Sequence, residues 1–320
     1  MKINQLSIKP YTILLTNHQI RSGALINITD ENGQSGWGDI APLPTWSQET
    51  LDDSLESLKK RTNELLSITW KNQTCFEELS RLALMPSVSF GLESALLSIL
   101  SPLPEHSVRT CALLMGNYSE ILWQAKLRKS EGYSLAKLKV SQLSFEEARR
   151  VIFYLKNDFC LRVDVNRAWT TVDSLRFFSQ FPHDFFEYVE EPFQNPQDLG
   201  LFTHPVGVDE SFPQNLSLSQ LETLPNLKAL IYKPTIQGGM LGCFPLHEWA
   251  SKKGIELVLS SSFESDIGVA CVASMAYRLG LKSPVGIGTY HYLKNYFSDS
   301  VRLVNDVLNI SSNISPNLMI

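Results

Sequence analysis

No stretch of this chain approaches the roughly 20 uninterrupted apolar residues that a membrane-spanning helix needs. The N-terminal MKINQLSIKPYTILL carries polar residues where a secretory signal keeps its apolar run, so a cytoplasmic protein is expected. There is no excess of basic charge: 28 Lys and Arg against 33 Asp and Glu leave a net charge of −5, which offers nucleic acid no electrostatic foothold. Cysteine is sparse. Cys75, Cys111, Cys160, Cys243 and Cys271 are odd in number, scattered, and form no C-x-x-C. Most have apolar neighbours, so buried free thiols in a reducing compartment are expected rather than disulfides. Low-complexity segments and long linkers are also lacking.

What is present is globular in character: 43% hydrophobic and 19% charged residues over 320 positions. That length suits two domains, or one barrel of roughly 250 residues with an appendage. Residues 1–16 alternate apolar and polar as a strand does. ALINITD and QSGWGD flank Asn32-Gly33, a strong hairpin signal. Pro42 and Pro44 then rule out regular structure. Ser47 is the expected N-cap of a helix running to about Leu66, with Glu49 and Asp52 in its first turn. A second helix, SFGLESALLSIL, ends before Pro102. Residues 1–105 therefore read as a small α+β unit.

From about residue 106 to 290, short apolar strands alternate with helical patterns. The strands are VRTCALLMG, LAKLKV, CLRVDVN, FEYVEE, PVGVDES, LKALIYKPT, IELVLSSS and SPVGIGT. Alternating βα units imply a parallel sheet with helices outside it. Eight strands with seven intervening helical segments suggest a closed α/β barrel.

In such a barrel the chemistry sits at the C-terminal strand ends. Asp164, Glu190 and Asp209 end three successive strands, and two carboxylates about 4 Å apart repel by about 4 kcal/mol at an effective dielectric of 20. Three together need a cation. None of the six histidines lies at these strand ends, and an all-oxygen donor set favours Mg²⁺, or Mn²⁺, over zinc. An acidic residue at a strand end is ordinarily a loop-entry residue or a cap; three in a row, each after an apolar lead-in, fit that account poorly. For Glu191 and Glu210, on the opposite faces, a cap or salt bridge is the expected role.

Lys137 and Lys139 share one face of LAKLKV, because strand side chains alternate with period two. Lysine is a poor strand former. Two cations side by side are expected to depress each other's pKa, which is how enzymes make a lysine into a base. Lys233 ends the sixth strand. A single strand-end lysine is usually a solvated, snorkelling side chain; here that account would have to hold three times beside an acidic triad. Metal, base and second cation together describe removal of a proton next to a carboxylate.

AKLKV, RVDVNRAW, EYVEEPF, GVDES and IYKPT, in this order and spacing, resemble the motifs of the enolase superfamily in its muconate-lactonizing-enzyme branch. GWGDIAPLPTWSQET and LSSSFES are similar to the dehydratase group of that branch that serves menaquinone biosynthesis. The resemblance covers nearly the whole chain. It implies a (β/α)7β modified TIM barrel over 106–290, with an α+β capping domain from 1–105 completed by about 290–320. It implies Asp164, Glu190 and Asp209 as Mg²⁺ ligands, Lys139 as general base and then general acid, Lys137 as its support, and Lys233 as a cation facing the dienolate. Ser261, Ser262 and Arg162 are the expected substrate contacts, Arg162 having pairing with an internal acid as its alternative. Asn166 is expected to orient a ligand or water. The implied substrate is a small-molecule carboxylate, 2-succinyl-6-hydroxy-2,4-cyclohexadiene-1-carboxylate, which loses water to become aromatic.

The chain departs from the group's pattern at Gly288, where many relatives carry an acid, and at Thr45, where many carry glycine. A racemase of N-acylamino acids or a dipeptide epimerase would use the same five motifs, with Lys139 and Lys233 as opposed bases. A non-catalytic metabolite-binding barrel is the alternative from another class. A monomer is compatible with the apolar helix faces.

Overall fold

In the computed structural model, which describes residues 1–317, the chain divides into two units. One holds residues 1–109, 232–249 and the chain from 259 onward; the other holds 110–231 and 250–258.

The first unit opens with β1 (Ile3–Leu14), β2 (Ile20–Asp30) and β3 (Ser35–Ile40), an antiparallel sheet in sequence order. The expected turn forms at Asn32-Gly33: Gly33 takes φ +80°, and the Asp30 carboxylate accepts the N–H groups of Asn32 and Gln34. Helix α1 (Leu51–Ser67) starts later than Ser47. Thr50 is its N-cap and shares a capping box with Asp53. The Ser47 hydroxyl is already taken by the Leu43 N–H in the proline-rich turn. Glu49 likewise lies outside the helix, its carboxylate accepting the Ser87 N–H. A short helix not foreseen, α2 (Cys75–Leu82), precedes α3 (Pro86–Leu100), which begins on proline as helices tolerate. α3 packs tightly on β3. A Cβ on Gly38 would lie 1.9 Å from the Gly91 carbonyl oxygen. β4 (His106–Arg109) closes this segment. VRTCALLMG is thus not one strand: β4 pairs outside the parallel sheet, and only its second half joins it.

The second unit carries that sheet. In chain order come β5 (Ala112–Leu114), α4 (Tyr118–Ser130), β6 (Leu135–Lys139), α5 (Phe145–Leu155), β7 (Cys160–Asp164), α6 (Thr171–Phe178) and β8 (Tyr188–Glu190). A 3-10 turn at Pro196–Leu201 leads to β9 (Val206–Val208), then α7 (Leu218–Leu221) and β10 (Leu227–Tyr232). Asn117, Ser144 and Thr170 cap the three long helices with their side chains. After β10 the chain forms α8 (Pro234–Gln237) and α9 (Gly239–Lys253), and β11 (Glu256–Leu259) completes a seven-stranded sheet in the order β11-β10-β9-β8-β7-β6-β5. From β5 to β10 neighbouring strands pair in parallel. β8 and β9 are buried throughout and β7 at every residue but Cys160, as the strands of a helix-covered parallel sheet are.

Helix α10 (Asp266–Arg278) follows, capped by Ser265. SPVGIGT is not a regular strand. Gly286 makes a single parallel bridge to Ser260, its N–H bonding Leu259 O, while the Val285 N–H bonds Arg109 O. Pro284, Gly286 and Gly288 in so short a segment disfavour a longer ladder. A 3-10 turn at Gly288–Tyr292 leads to β12 (Val301–Val304) and β13 (Val307–Ile310); β12 pairs with β13, and β13 with β4. Residues 318–320 of the expected C-terminal contribution lie outside the described residues.

Cys75, Cys111, Cys243 and Cys271 are buried, Cys160 is exposed, and all five are free thiols. Among the described residues no helix is long and apolar enough to cross a membrane.

Candidate active site

Register brings the strand-end charges together. Lys137 pairs with Arg162 and Lys139 with Asp164 across β6 and β7; Asp164 pairs in turn with Glu190 across β7 and β8. Lys139, Asp164 and Glu190 therefore form one rung, and Lys137 and Arg162 a rung nearer the strand starts. Asp209 follows β9 directly, two residues beyond Gly207, the partner of Glu190. Asp164, Glu190 and Asp209 are all buried, each retaining no more than 3% of its exposure.

Buried carboxylates require a compensating cation, and Lys137 supplies one. Its ammonium lies 2.9 Å from Asp164 Oδ2 and donates to Glu190 Oε1. Burial pulls the Lys137 pKa down, but Asp164, Glu190 and Asp209 outweigh burial and hold it well above the usual lysine value. The expectation that the paired lysines lower each other does not apply to Lys137: three carboxylates face it, and their field exceeds that of one neighbouring cation. Among the described residues no group of three or more carboxylate, imidazole or thiol side chains stands where it could hold a metal ion. The three acids expected as ligands are an all-oxygen set of the kind a hard divalent ion takes.

Lys139 is held differently. Its side chain keeps 30% of its exposure, its Nζ lies 3.4 Å from Asp164 Oδ2, and it donates to Asn166 Oδ1 at 2.9 Å. Asn166 also donates from its backbone N–H and its Nδ2 to the two oxygens of Asp164. It does so from a left-handed conformation, φ +48°, that asparagine tolerates better than most residues. Asn166 thus joins the exposed lysine to the buried acid.

Glu191 sits on the other face of β8's end, fully buried, at φ +47°. Its carboxylate accepts the N–H groups of Asp209 and Ser211 and the Ser211 hydroxyl. Burial pushes its pKa up to about 7, against the pull of those bonds from Ser211 and Asp209. It is the residue that fastens the backbone of Asp209. Its signal in the sequence was only the doubled acid of VEEP.

Arg162 forms the internal ion pair that was its alternative role. It is buried in the lower rung, its Nε 2.7 Å from Glu187 and its guanidinium 5.1 Å from the Tyr188 ring centroid.

In the first unit, Lys233 follows β10 and is the N-cap residue of α8. Its Nζ lies 4.7 Å from the ring centroid of Trp46, in the proline-rich turn. The Ser261 hydroxyl bonds Thr289 and the Gly286 carbonyl. Ser262 is buried, its N–H donating to Glu264 and its hydroxyl meeting no partner among the described residues. The roles of Trp46 and Glu264 were not read from the sequence, since neither shares a strand face with a strand-end motif.

Two family models match the chain: "MenC, N-terminal domain" over residues 5–99 and "Enolase C-terminal domain-like" over residues 120–311. The o-succinylbenzoate synthase of Aliivibrio fischeri (strain MJ11) is 31% identical over 269 residues, 81% of this chain and 79% of that protein. That of Proteus mirabilis (strain HI4320) is 28% identical over 283 residues, 86% of this chain and 84% of that one. Among solved structures, MenC from Desulfotalea psychrophila LSv54 superposes with a TM-score of 0.79 at 18% identity, covering 96% of this chain and 99% of its own. A dipeptide epimerase from Methylococcus capsulatus, complexed with Mg and the dipeptide L-Arg-D-Lys, reaches 0.82 at 20% identity, with 98% of each chain covered. At such identities the structural likeness establishes the fold, which synthase and epimerase share.

Proposed function

We infer the activity from a premise that the comparisons supply: the chain belongs to the enolase C-terminal domain-like family and, within it, to the o-succinylbenzoate synthases. It is a hydro-lyase of menaquinone biosynthesis, converting 2-succinyl-6-hydroxy-2,4-cyclohexadiene-1-carboxylate to 2-succinylbenzoate. We read the parallel sheet, continued through residues 285–286, as a (β/α)7β barrel over 106–290. Residues 1–105, with the tail from about 290, are read as its capping domain.

Asp164, Glu190 and Asp209 are buried, all-oxygen donors, and the first two already pair with one positive group, which is chemistry that suits a hard divalent cation. We assign them to Mg²⁺, with Mn²⁺ compatible with the same donors. Bound there, the ion supplies a positive charge that polarises the substrate carboxylate.

The observation that carries the assignment of the base is the contrast between the two lysines. Lys137 is committed to two carboxylates, whereas Lys139 is more open, bonded to a neutral amide and 3.4 Å from a single carboxylate. Lys139 therefore takes the α-proton as general base. It then returns a proton to the departing hydroxyl on the same face, so water leaves without a second acid. Lys137 fixes Asp164 and Glu190, and Lys233 is assigned as the second cation of the reaction. Ser262, with its uncommitted buried hydroxyl, is assigned to the succinyl arm. Because the product ring is aromatic, the barrier left to the protein is mainly that of proton removal.

Consumption of the hydroxycyclohexadiene carboxylate, followed by loss of diene absorbance with Mg²⁺, tests the reading. Wild type should turn over, and Lys139→Arg should fold yet lose at least about a thousandfold in kcat. Near-normal turnover by that variant would falsify the base. No turnover by wild type, with exchange of a dipeptide's α-proton in deuterated water, would transfer the chain to the epimerases.

A further inference from the structure

Lys233 and Ser262 lie 29 residues apart in the sequence, yet one buried carboxylate connects their segments. Glu264 is fully buried in the turn between β11 and α10. One of its oxygens accepts the Thr235 hydroxyl at 2.6 Å; the other accepts the Ser262 N–H at 2.5 Å. Thr235, itself fully buried, is the second residue of α8, the helix that Lys233 caps. The Lys233 N–H is fixed in turn by the Gln237 side chain at 2.7 Å.

Ser262 is held from both ends. Its N–H meets Glu264, and its carbonyl faces the buried guanidinium of Arg21 at 3.4 Å. Between Ser262 and Glu264 stands Phe263 at φ +61°, a conformation that costs a β-carbon residue about 1–2 kcal/mol and persists only where the surroundings over-determine it. The Glu264 bond back to Ser262 closes that strained turn. It leaves the Ser262 hydroxyl buried and uncommitted.

We propose that Glu264, acting through Thr235, is a positioning residue that sets Lys233 and the Ser262 hydroxyl in one fixed relation. The inference rests on the assignment of Lys233 and Ser262 to the substrate. A plain loop brace would support stability alone, whereas this arrangement ties the placement of a reacting cation to that of a binding hydroxyl. Thr235→Val removes the linking hydroxyl while keeping the shape, and Thr235→Ser keeps the hydroxyl. Glu264→Gln retains both bonds, because its amide can donate to the Thr235 oxygen and its carbonyl can accept from Ser262.

Two readouts on the full-length protein test this. The first is the rate at which dilute acetic anhydride acetylates Lys233, read by peptide mass spectrometry against exposed Lys60. The second is kcat and KM with Mg²⁺. Thr235→Val should change the Lys233 labelling rate by about three- to tenfold, the worth of one net hydrogen bond. It should lower kcat by a similar factor with KM little moved, and Thr235→Ser and Glu264→Gln should both stay near wild type. A Thr235→Val protein with wild-type labelling and kcat, destabilised only in its melting temperature, overturns the proposal. Labelling needs no turnover, so a wild type inactive on this substrate would count against the assigned reaction and leave this test readable.

Discussion

The ammonium of Lys139 stands 3.4 Å from the carboxylate of Asp164, and Asn166 is hydrogen-bonded to both. The bridge matters because it fixes the more exposed lysine in one place beside the buried acid. An amide oxygen orients the ammonium at less electrostatic cost than a second carboxylate would.

Replacing that amide should therefore act on rate more than on fold. Asn166→Gly removes the side chain while permitting φ +48°. Turnover should fall by about ten- to a hundredfold, as for loss of an orienting group beside a reacting one. The melting temperature should stay within a few degrees of wild type. A full-rate Asn166→Gly enzyme would remove Asn166 from the catalytic arrangement.

Glu191 offers a separate handle on the metal site. It accepts the Asp209 N–H and is not itself a proposed ligand, so its replacement keeps all three ligand side chains in the sequence. Glu191→Ala should weaken Mg²⁺ binding by about ten- to a hundredfold, as loss of an outer partner commonly does. Asp164→Asn, which removes a proposed ligand, should weaken it at least as much. Isothermal titration with MgCl₂ measures both. Unchanged affinity in Asp164→Asn would refute the ligand set; unchanged affinity in Glu191→Ala alone would confine Glu191 to the loop.

Much of this could be read from period-two spacing alone. LAKLKV, CLRVDVN and VEE place Lys139, Asp164 and Glu190 at strand ends, and a parallel register then sets them on one rung. Spacing does not say which neighbour a side chain chooses. Arg162 shares a strand face with Asp164, yet Glu187 and Tyr188 claim it. Lys137 looked like a partner that would tune Lys139, yet three acids fix it as a cation. Ser47 resembled a cap until the proline turn took its hydroxyl, leaving Thr50 to start the helix. Glu191 was legible as a capping acid but not as the holder of Asp209, and Glu264 not at all, because the Asp209 N–H and the Thr235 hydroxyl are brought near them only by the finished fold.

The last prediction concerns pH and a site remote from the strand-end charges. Glu93 on α3 is buried, and burial pushes its pKa from 4.5 up to about 7, against the pull of the bonds it accepts. Those bonds come from the Ser89 hydroxyl and from the N–H groups of Met240 and Leu241, at the start of α9. Between pH 4.5 and 7 the folded protein therefore holds a proton on Glu93 that the unfolded chain has released. More protons bound in the folded state means that stability falls as pH rises. The contribution is complete below about pH 4.5 and is lost as pH passes through about 7. Asp39, raised by burial to about 7, acts in the same direction. Glu93→Gln cannot titrate, yet its carbonyl can accept the two N–H groups while its amide donates to Ser89. The difference in unfolding free energy between pH 5 and pH 8, from urea titrations, should shrink in Glu93→Gln by about 1–3 kcal/mol. An undiminished difference would mean that Glu93 ionises normally in the folded protein, and that the α9 N-terminus compensates its charge more fully than its burial implies.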